Sequence, residues 1–223
     1  MPRIARGLAD GHFYHIINRG NCRQEVFHKQ EDYAAFANLM KESVGRHEVS
    51  VYSWCIMPNH FHLLVRPEKA EALSNWMQWF MTSHVRRYHK HYRTSGHVWQ
   101  GRFKSFIVQD DTHLLTVARY IEANPVRWGL VATTADWEWS SHWSRTGQAA
   151  GFEKELPLPL PPEWTLYVDT PITDAELEKL RRSVNRQTPY GLAGWQGRMV
   201  RSLGLAATLN PRGRPRKKSD TEK

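Results

Sequence analysis

Two β-rich runs separated by only two residues constrain this chain more than any other feature. Val49 to Met57 forms the first, Pro58-Asn59 interrupts it, and His60-Phe-His-Leu-Leu-Val65 forms the second. So short a break between strands predicts a hairpin. Alternate side chains of a strand point to the same face, so His60 and His62 project together while Phe61 and Leu63 face away. An apolar strand gains nothing from two polar rings on one face unless they bind something there. Neutral imidazole is the commonest protein metal ligand, and the pair supplies half of a metal site. Taken alone, the spacing marks a solvated edge strand more often than a ligand pair; the rest of the chain reverses that balance.

Periodicity extends the hairpin into a fold. His12 to Asn18 reads as a first strand, closed by the turn-prone Arg19-Gly20-Asn21. Glu31 to Val44 carries Tyr33, Phe36, Ala37 and Met40 at helical spacing, and Leu73 to Tyr92 carries Trp76, Met77, Phe80 and His84 along one side. Arg102 to Gln109 returns as a strand. The order β-α-β-β-α-β is the ferredoxin-like split βαβ arrangement, an α+β fold with a four-stranded antiparallel sheet and both helices on one face. A third helix runs from about Thr112 to Asn124, with Leu114, Val117, Ala118 and Ile121 as its core stripe. Pro125 limits it, because the residue before proline is pushed away from helical angles.

The 223 residues suit one domain with an appendage: a core over 1–147, a linker over 148–172 and a basic extension over 173–223. Five prolines between Pro157 and Pro171 read as an extended spacer rather than core. Thr173-Asp-Ala-Glu176 reads as a helix cap, and the chain closes on Asn210-Pro-Arg-Gly-Arg-Pro-Arg-Lys-Lys218. Lys and Arg exceed Asp and Glu by 31 to 22, giving +9, which favours a polyanionic partner, nucleic acid first. No apolar stretch approaches the ~20 residues that span a bilayer, and the N-terminus lacks a signal-peptide pattern. The expectation is a cytoplasmic protein with no membrane partner and reduced thiols. Cys22 and Cys55 match no zinc-finger spacing and read as small packing residues.

The third helix supplies what the histidines lack. Tyr120 and Asn124 are four apart and share a flank beside the core stripe. From there Asn124 can offer a carbonyl oxygen as third metal ligand, and Tyr120 a phenol oxygen as nucleophile. His60-Phe-His62, then Trp99-Gln-Gly-Arg-Phe103, then Tyr120-Ile-Glu-Ala-Asn-Pro-Val-Arg-Trp-Gly-Leu-Val131 resemble, in order and separation, the REP-associated tyrosine transposases. These are single-tyrosine HUH (His-hydrophobic-His) endonucleases of the IS200-like transposases, and the resemblance covers residues 10–145. It implies an HUH endonuclease fold and metal-dependent cutting and joining of single-stranded DNA at REP-type hairpins. A transient 5′-phosphotyrosine would form on Tyr120, with His60, His62 and Asn124 holding Mg²⁺ or Mn²⁺; such a mixed N/O set also admits Zn²⁺.

Charge places DNA nearby. From His84 to Lys104 there are six basic residues (Arg86, Arg87, Lys90, Arg93, Arg102 and Lys104) and no acid, with Tyr88, Tyr92, Trp99 and Phe103 interleaved. Phosphates and unstacked bases both find partners in such a segment; Trp99 and Gln100 join the basic residues as expected DNA contacts. The tail's Arg212, Arg214 and Arg216 resemble an AT-hook core, with general phosphate tethering the commoner role of short basic tails. The extension is also a candidate to fold back over the site and compete with substrate. His12, His15, His28, His47 and His142 stand alone and carry no assigned role, and His113 lies two turns before Tyr120 on its flank. A hairpin-binding regulator without catalysis, and a metal-dependent hydrolase using water, are the alternatives. A monomer acting through its own Tyr120 is expected, a dimer being the other arrangement among relatives.

Overall fold

The computed structural model describes residues 7–149 and 151–210. Four strands, β1 (Phe13–Arg19), β2 (Val49–Met57), β3 (His60–Pro67) and β4 (Lys104–Val108), form one antiparallel sheet in the order β2-β3-β1-β4. Helices α1 (Gln30–Arg46) and α2 (Ala70–Tyr92) connect them as the split βαβ pattern requires. Tyr14, Ile16, Phe61, Leu63 and Val65 meet Phe36, Met40, Trp76 and Phe80 of those helices in one buried cluster. The strands' other side, with Phe13, Leu64, Phe106 and Val108, receives α3 (Thr112–Glu122). Leu114, Val117, Ala118 and Ile121 are all fully buried there, as their spacing predicts.

A bulge at Tyr52 interrupts β2, since Val51 pairs with Val65 but Ser53 with Leu64. One extra residue on a strand resets its alternation, so Ser53, Cys55 and Met57 turn toward α3. The hairpin closes at Met57↔His60 through Pro58-Asn59. That turn is pinned from outside: Val26 N–H donates to the Pro58 carbonyl at 2.8 Å, and Gly20 N–H to the Asn59 carbonyl at 2.8 Å. Gly20 must be glycine, since a Cβ there would lie 2.3 Å from the Gln24 carbonyl oxygen. Cys22 is exposed in this loop, with φ of 51°, and does not pack as expected.

Two further expectations are corrected. Pro125 does not end the helical path. Ala123, with ψ of −2°, breaks the α3 ladder, and a new turn, α4 (Asn124–Arg127), begins with the proline in its first positions. There its missing N–H leaves no bond unmade. Nor is 148–172 a bare spacer. After α5 (Ser141–Arg145), Leu156 and the α6 (Trp164–Asp169) residues Trp164 and Val168 join the α3-side core. Apolar residues between the prolines thus bury surface that an extended linker would leave wet.

The extension continues through α7 (Asp174–Arg186), whose N-cap Thr173 Oγ1 accepts from Glu176 N–H at 3.3 Å, and α8 (Ala193–Ser202). Between them Tyr190 adds a parallel bridge to edge strand β4, exchanging bonds with Ile107 and Gln109. The opposite edge is covered too, since Trp139 and Lys154 bond to β2. These bonds satisfy part of each edge's exposed backbone. Residues 211–223, including Arg212, Arg214 and Arg216, lie outside the described residues. No helix of the described residues is long and apolar enough to cross a membrane.

Candidate active site

His60 and His62 project from β3 on the α3 side, with ring centroids 5.1 Å apart. The alternation that sends Phe61 and Leu63 into the α1/α2 core fixes this. Tyr120, in the last turn of α3, stands edge-on to His62 with ring centroids 5.7 Å apart. The strand pair and the late-helix phenol therefore meet.

Each imidazole has its Nδ1 occupied. His60 Nδ1 lies 2.7 Å from the Asn59 side-chain oxygen. The same amide donates through Nδ2 to the Arg23 carbonyl at 3.1 Å, which fixes its oxygen as the acceptor. His60 Nδ1 must then carry the proton and leave Nε2 with a bare lone pair. His62 Nδ1 lies 2.9 Å from His15 Nε2. Neither Nε2 of the pair has a hydrogen bond among the described residues. Burial, then the charges of Arg19 and Arg127, pushes His60 down to about 3. Burial, then the neighbouring His15 and His60, pushes His62 well below the usual imidazole range. Both rings are thus neutral near pH 7, the state a metal requires.

His15 was missed by sequence reasoning. It is fully buried, pushed down to about 3 by burial, and 4.7 Å from Phe106 and 6.1 Å from Tyr120 between ring centroids. Strand alternation carried the signal: His15 shares its face with Phe13, and β1 pairs with β3.

Asn124 lies beside Tyr120 and Arg127, and both ends of its amide are engaged. Nδ2 donates to the carbonyls of Tyr120 and Ile121, and Oδ1 accepts from Arg127 Nη2 at 2.8 Å. Among the described residues its oxygen is held by Arg127 and bonds to neither histidine. The same Arg127 guanidinium lies 4.2 Å from the Tyr120 ring centroid. Trp128, 56% exposed, sits 5.7 Å from His60 and gives the site an open aromatic rim. Among the described residues no group of three or more His, Cys, Asp or Glu is arranged to hold a metal. The donor set still fits a divalent ion: two preoriented imidazole nitrogens, with an amide oxygen available if Arg127 withdraws. Imidazole donors suit Mn²⁺ or Zn²⁺ better than Mg²⁺, which prefers oxygen.

Glu122 anchors the turn that carries Tyr120. Its carboxylate, fully buried, accepts from Ser53, Ser141, Arg145, His142 and Trp164. Burial alone would raise its pKa; the bond from His142, the charge of Arg145 and the bond from Ser141 outweigh that and hold it below the usual range. His142, expected to be alone, is one of these partners. His113 turns instead to Asp111, at 2.6 Å, and to Tyr190.

The expected DNA contacts divide. Arg86, Arg87, Lys90, Arg93, Gln100 and Arg102 are exposed, and Lys104 is half-buried. Trp99 is not a surface platform: it is 5% exposed and packs among Phe27, Phe36, Phe61 and His84 in the α1/α2 core. A large apolar ring at a buried strand end is worth more in the core than in water. The loop that carries it joins the end of β1, where Gln100 N–H donates to the Arg19 carbonyl at 2.8 Å and Asn18 Nδ2 to the Gly101 carbonyl at 3.2 Å. A cleft of about 350 Å³ there is lined by Arg19, Gln100, Arg102 and Lys104, with Asn185 of α7 on its far wall.

The comparisons agree with this geometry. A protein of Haemophilus influenzae, named as a candidate REP-associated tyrosine transposase, is 31% identical over 117 residues, covering 48% of this chain. The chain spans 66% of that relative's length. A solved structure of a REP-associated tyrosine transposase bound to a REP hairpin is 18% identical, superposes with a TM-score of 0.54, and covers 69% of this chain and 91% of its own. At that identity it shows the fold. The IS200-like transposase family matches residues 9–124, just over half of the 223 residues and the whole span from β1 to Asn124, and the chain belongs to that family.

Proposed function

We propose that the protein is a metal-dependent single-stranded DNA endonuclease and strand transferase acting on REP-type hairpins through a 5′-phosphotyrosine on Tyr120. The observation that carries this is the meeting of Tyr120 with two neutral, preoriented imidazoles on one face of the sheet. Tyr120 Oη attacks the scissile phosphorus, the P–O3′ bond breaks, and the phenol loses its proton to solvent. The departing strand takes a proton from water as a free 3′-OH. A protein–DNA phosphodiester conserves the energy of the broken bond, so a 3′-OH can reverse the step without a nucleotide cofactor. A divalent cation held by His60 and His62 would withdraw charge from the phosphate and align it. Asn59 and His15 hold those rings in orientation, and Glu122 holds the helical turn that presents the phenol.

Exposed Arg86, Arg87 and Lys90 on α2 and Arg93 at its C-cap, with Gln100, Arg102 and Lys104, would follow the DNA backbone toward the cleft at Arg19. The tail's Arg212, Arg214 and Arg216 would add tethering. The test is covalent capture: the pure protein, Mn²⁺ and a 3′-labelled hairpin oligonucleotide on a denaturing gel. Wild type should carry label at the protein's mobility, and Tyr120→Phe should bind the DNA and carry none. Tight binding without any adduct from wild type would leave a hairpin-binding regulator; cleavage to a free 5′ phosphate would leave a hydrolase.

A further inference from the structure

Two guanidinium groups at the site have no counter-charge. Arg127 uses Nη2 on Asn124, lies over the Tyr120 ring, and keeps Nη1 buried with no partner. Arg19 stands opposite His60 in the β1–β3 register, and its buried Nε has no partner either. Neither forms an ion pair among the described residues. Glu122, the one acidic side chain buried among them, is committed to Ser53, Ser141, His142, Arg145 and Trp164.

A buried N–H without an acceptor and a cation without an anion both cost stability. Their retention beside a nucleophile calls for an anion that arrives from outside. We propose that Arg19 and Arg127 form the seat of the scissile phosphodiester, gripping its non-bridging oxygens while Tyr120 attacks. This rests on the nuclease reading above. The guanidinium is planar and always charged, and its fork matches two phosphate oxygens. Arg127 stacks on the ring that carries the attacking oxygen, so a phosphate on its free edge sits beside that oxygen. The two arginines belong to different elements, β1 and α4. Charge building on those oxygens in the transition state meets fixed donors, which need no reorganisation.

The test is a double-mutant cycle in the Tyr120→Phe background, using the hairpin oligonucleotide that gives the wild-type adduct. One version keeps the scissile phosphodiester; the other replaces it with an uncharged methylphosphonate. Fluorescence anisotropy should show Arg127→Ala weakening the charged version by roughly tenfold or more and the neutral version by about twofold at most. Arg19→Ala should show the same pattern. In the active Tyr120 background, Arg127→Ala should slow cleavage by ~10²–10³-fold. Arg127→Lys, which keeps the charge and loses the fork, should recover part of both losses and guards against a folding defect. Equal losses on both oligonucleotides, or none on either, with the wild-type adduct still forming, would overturn the phosphate seat alone. Absence of any wild-type adduct would overturn the nuclease reading, and the seat with it.

Discussion

Replacing His15 with Phe separates metal binding from folding, because the two should respond differently. For His62 to offer Nε2 to a cation, its proton must sit on Nδ1 and be donated across 2.9 Å to His15 Nε2. That forces the His15 proton onto Nδ1, which is buried and has no partner. With a cation bound, His15 would therefore hold His62 in its ligating tautomer at the cost of its own stranded donor. Phenylalanine removes that donor, a gain of ~1–3 kcal/mol, and leaves His62 Nδ1 without its partner, a loss of the same order. Its ring replaces an imidazole already packed against Phe106. Stability by denaturant titration should therefore change by no more than about 1 kcal/mol. Mn²⁺ affinity by calorimetry should fall ~10–100-fold, the usual cost of losing the group that orients a ligating histidine, or ~1.4–2.7 kcal/mol. His15→Gln, whose side-chain oxygen can accept from His62, should recover part of the affinity. An unchanged Mn²⁺ affinity in a folded His15→Phe protein would refute the tautomer argument.

Other perturbations test the surrounding structure. Glu122→Ala should cost ~3–5 kcal/mol, since it strands a buried arginine and several donors, and lower Tm by roughly 10 °C in a scanning calorimeter; a shift below about 3 °C would show that the network is slack. His15, His60 and His84, each held near 3 chiefly by burial, stay unprotonated in the fold while the unfolded chain's imidazoles titrate near 6.5. The unfolded state then binds more protons below that value, so their contribution is intact above pH 6.5 and is lost as pH falls toward 3. From pH 7.5 to 5.5 these three should cost the metal-free protein about 4 kcal/mol, with His62 adding to the loss in the same direction, and a flat profile across that window would contradict the assignment. Trp128→Ala should weaken single-stranded oligonucleotide binding about tenfold by anisotropy if the open rim stacks a base, with Mn²⁺ affinity unchanged. Truncation after Arg145 should yield an aggregation-prone chain, because Leu156, Trp164, Val168, Leu180 and Tyr190 cover the α3-side core; a soluble, monomeric truncation by size exclusion would show that the cover is dispensable.

The sheet, its helices and the histidine pair were legible because each rests on local periodicity. Alternation sent Phe61 and Leu63 one way and the imidazoles the other, and the spacing of Leu114, Val117, Ala118 and Ile121 gave α3 its buried side. What depends on partners distant in sequence was not legible. His15 lies 47 positions from His62; alternation along β1 gives its face, but only the β1–β3 pairing makes it a neighbour. Trp99 carried the right chemistry for stacking bases, but the bridge between Trp99 and Gly20 turns it into the core. The prolines of 148–172 suggested a spacer because proline disfavours regular structure, whereas Leu156, Trp164 and Val168 between them decide where the segment goes. Hydrophobic burial outweighed backbone preference there.

Asn124 shows how the site could couple its two substrates' requirements. Its side-chain oxygen is held by the same guanidinium that is proposed to seat the phosphate. Arg127 has a limited number of N–H groups and one position over the Tyr120 ring. A phosphate that drew Nη2 as well as the unpartnered Nη1 would weaken the bond to Asn124 and leave its oxygen free to accept elsewhere. A third donor would then join His60 and His62 only once DNA is in place. Coupling of this kind is reciprocal: if bound DNA strengthens cation binding by some factor, bound cation strengthens DNA binding by the same factor. The site would thereby stay a weak two-imidazole chelator in the absence of substrate. Tyr120 would be spared phosphate transfer until the strand, the guanidinium and the amide had all moved into register.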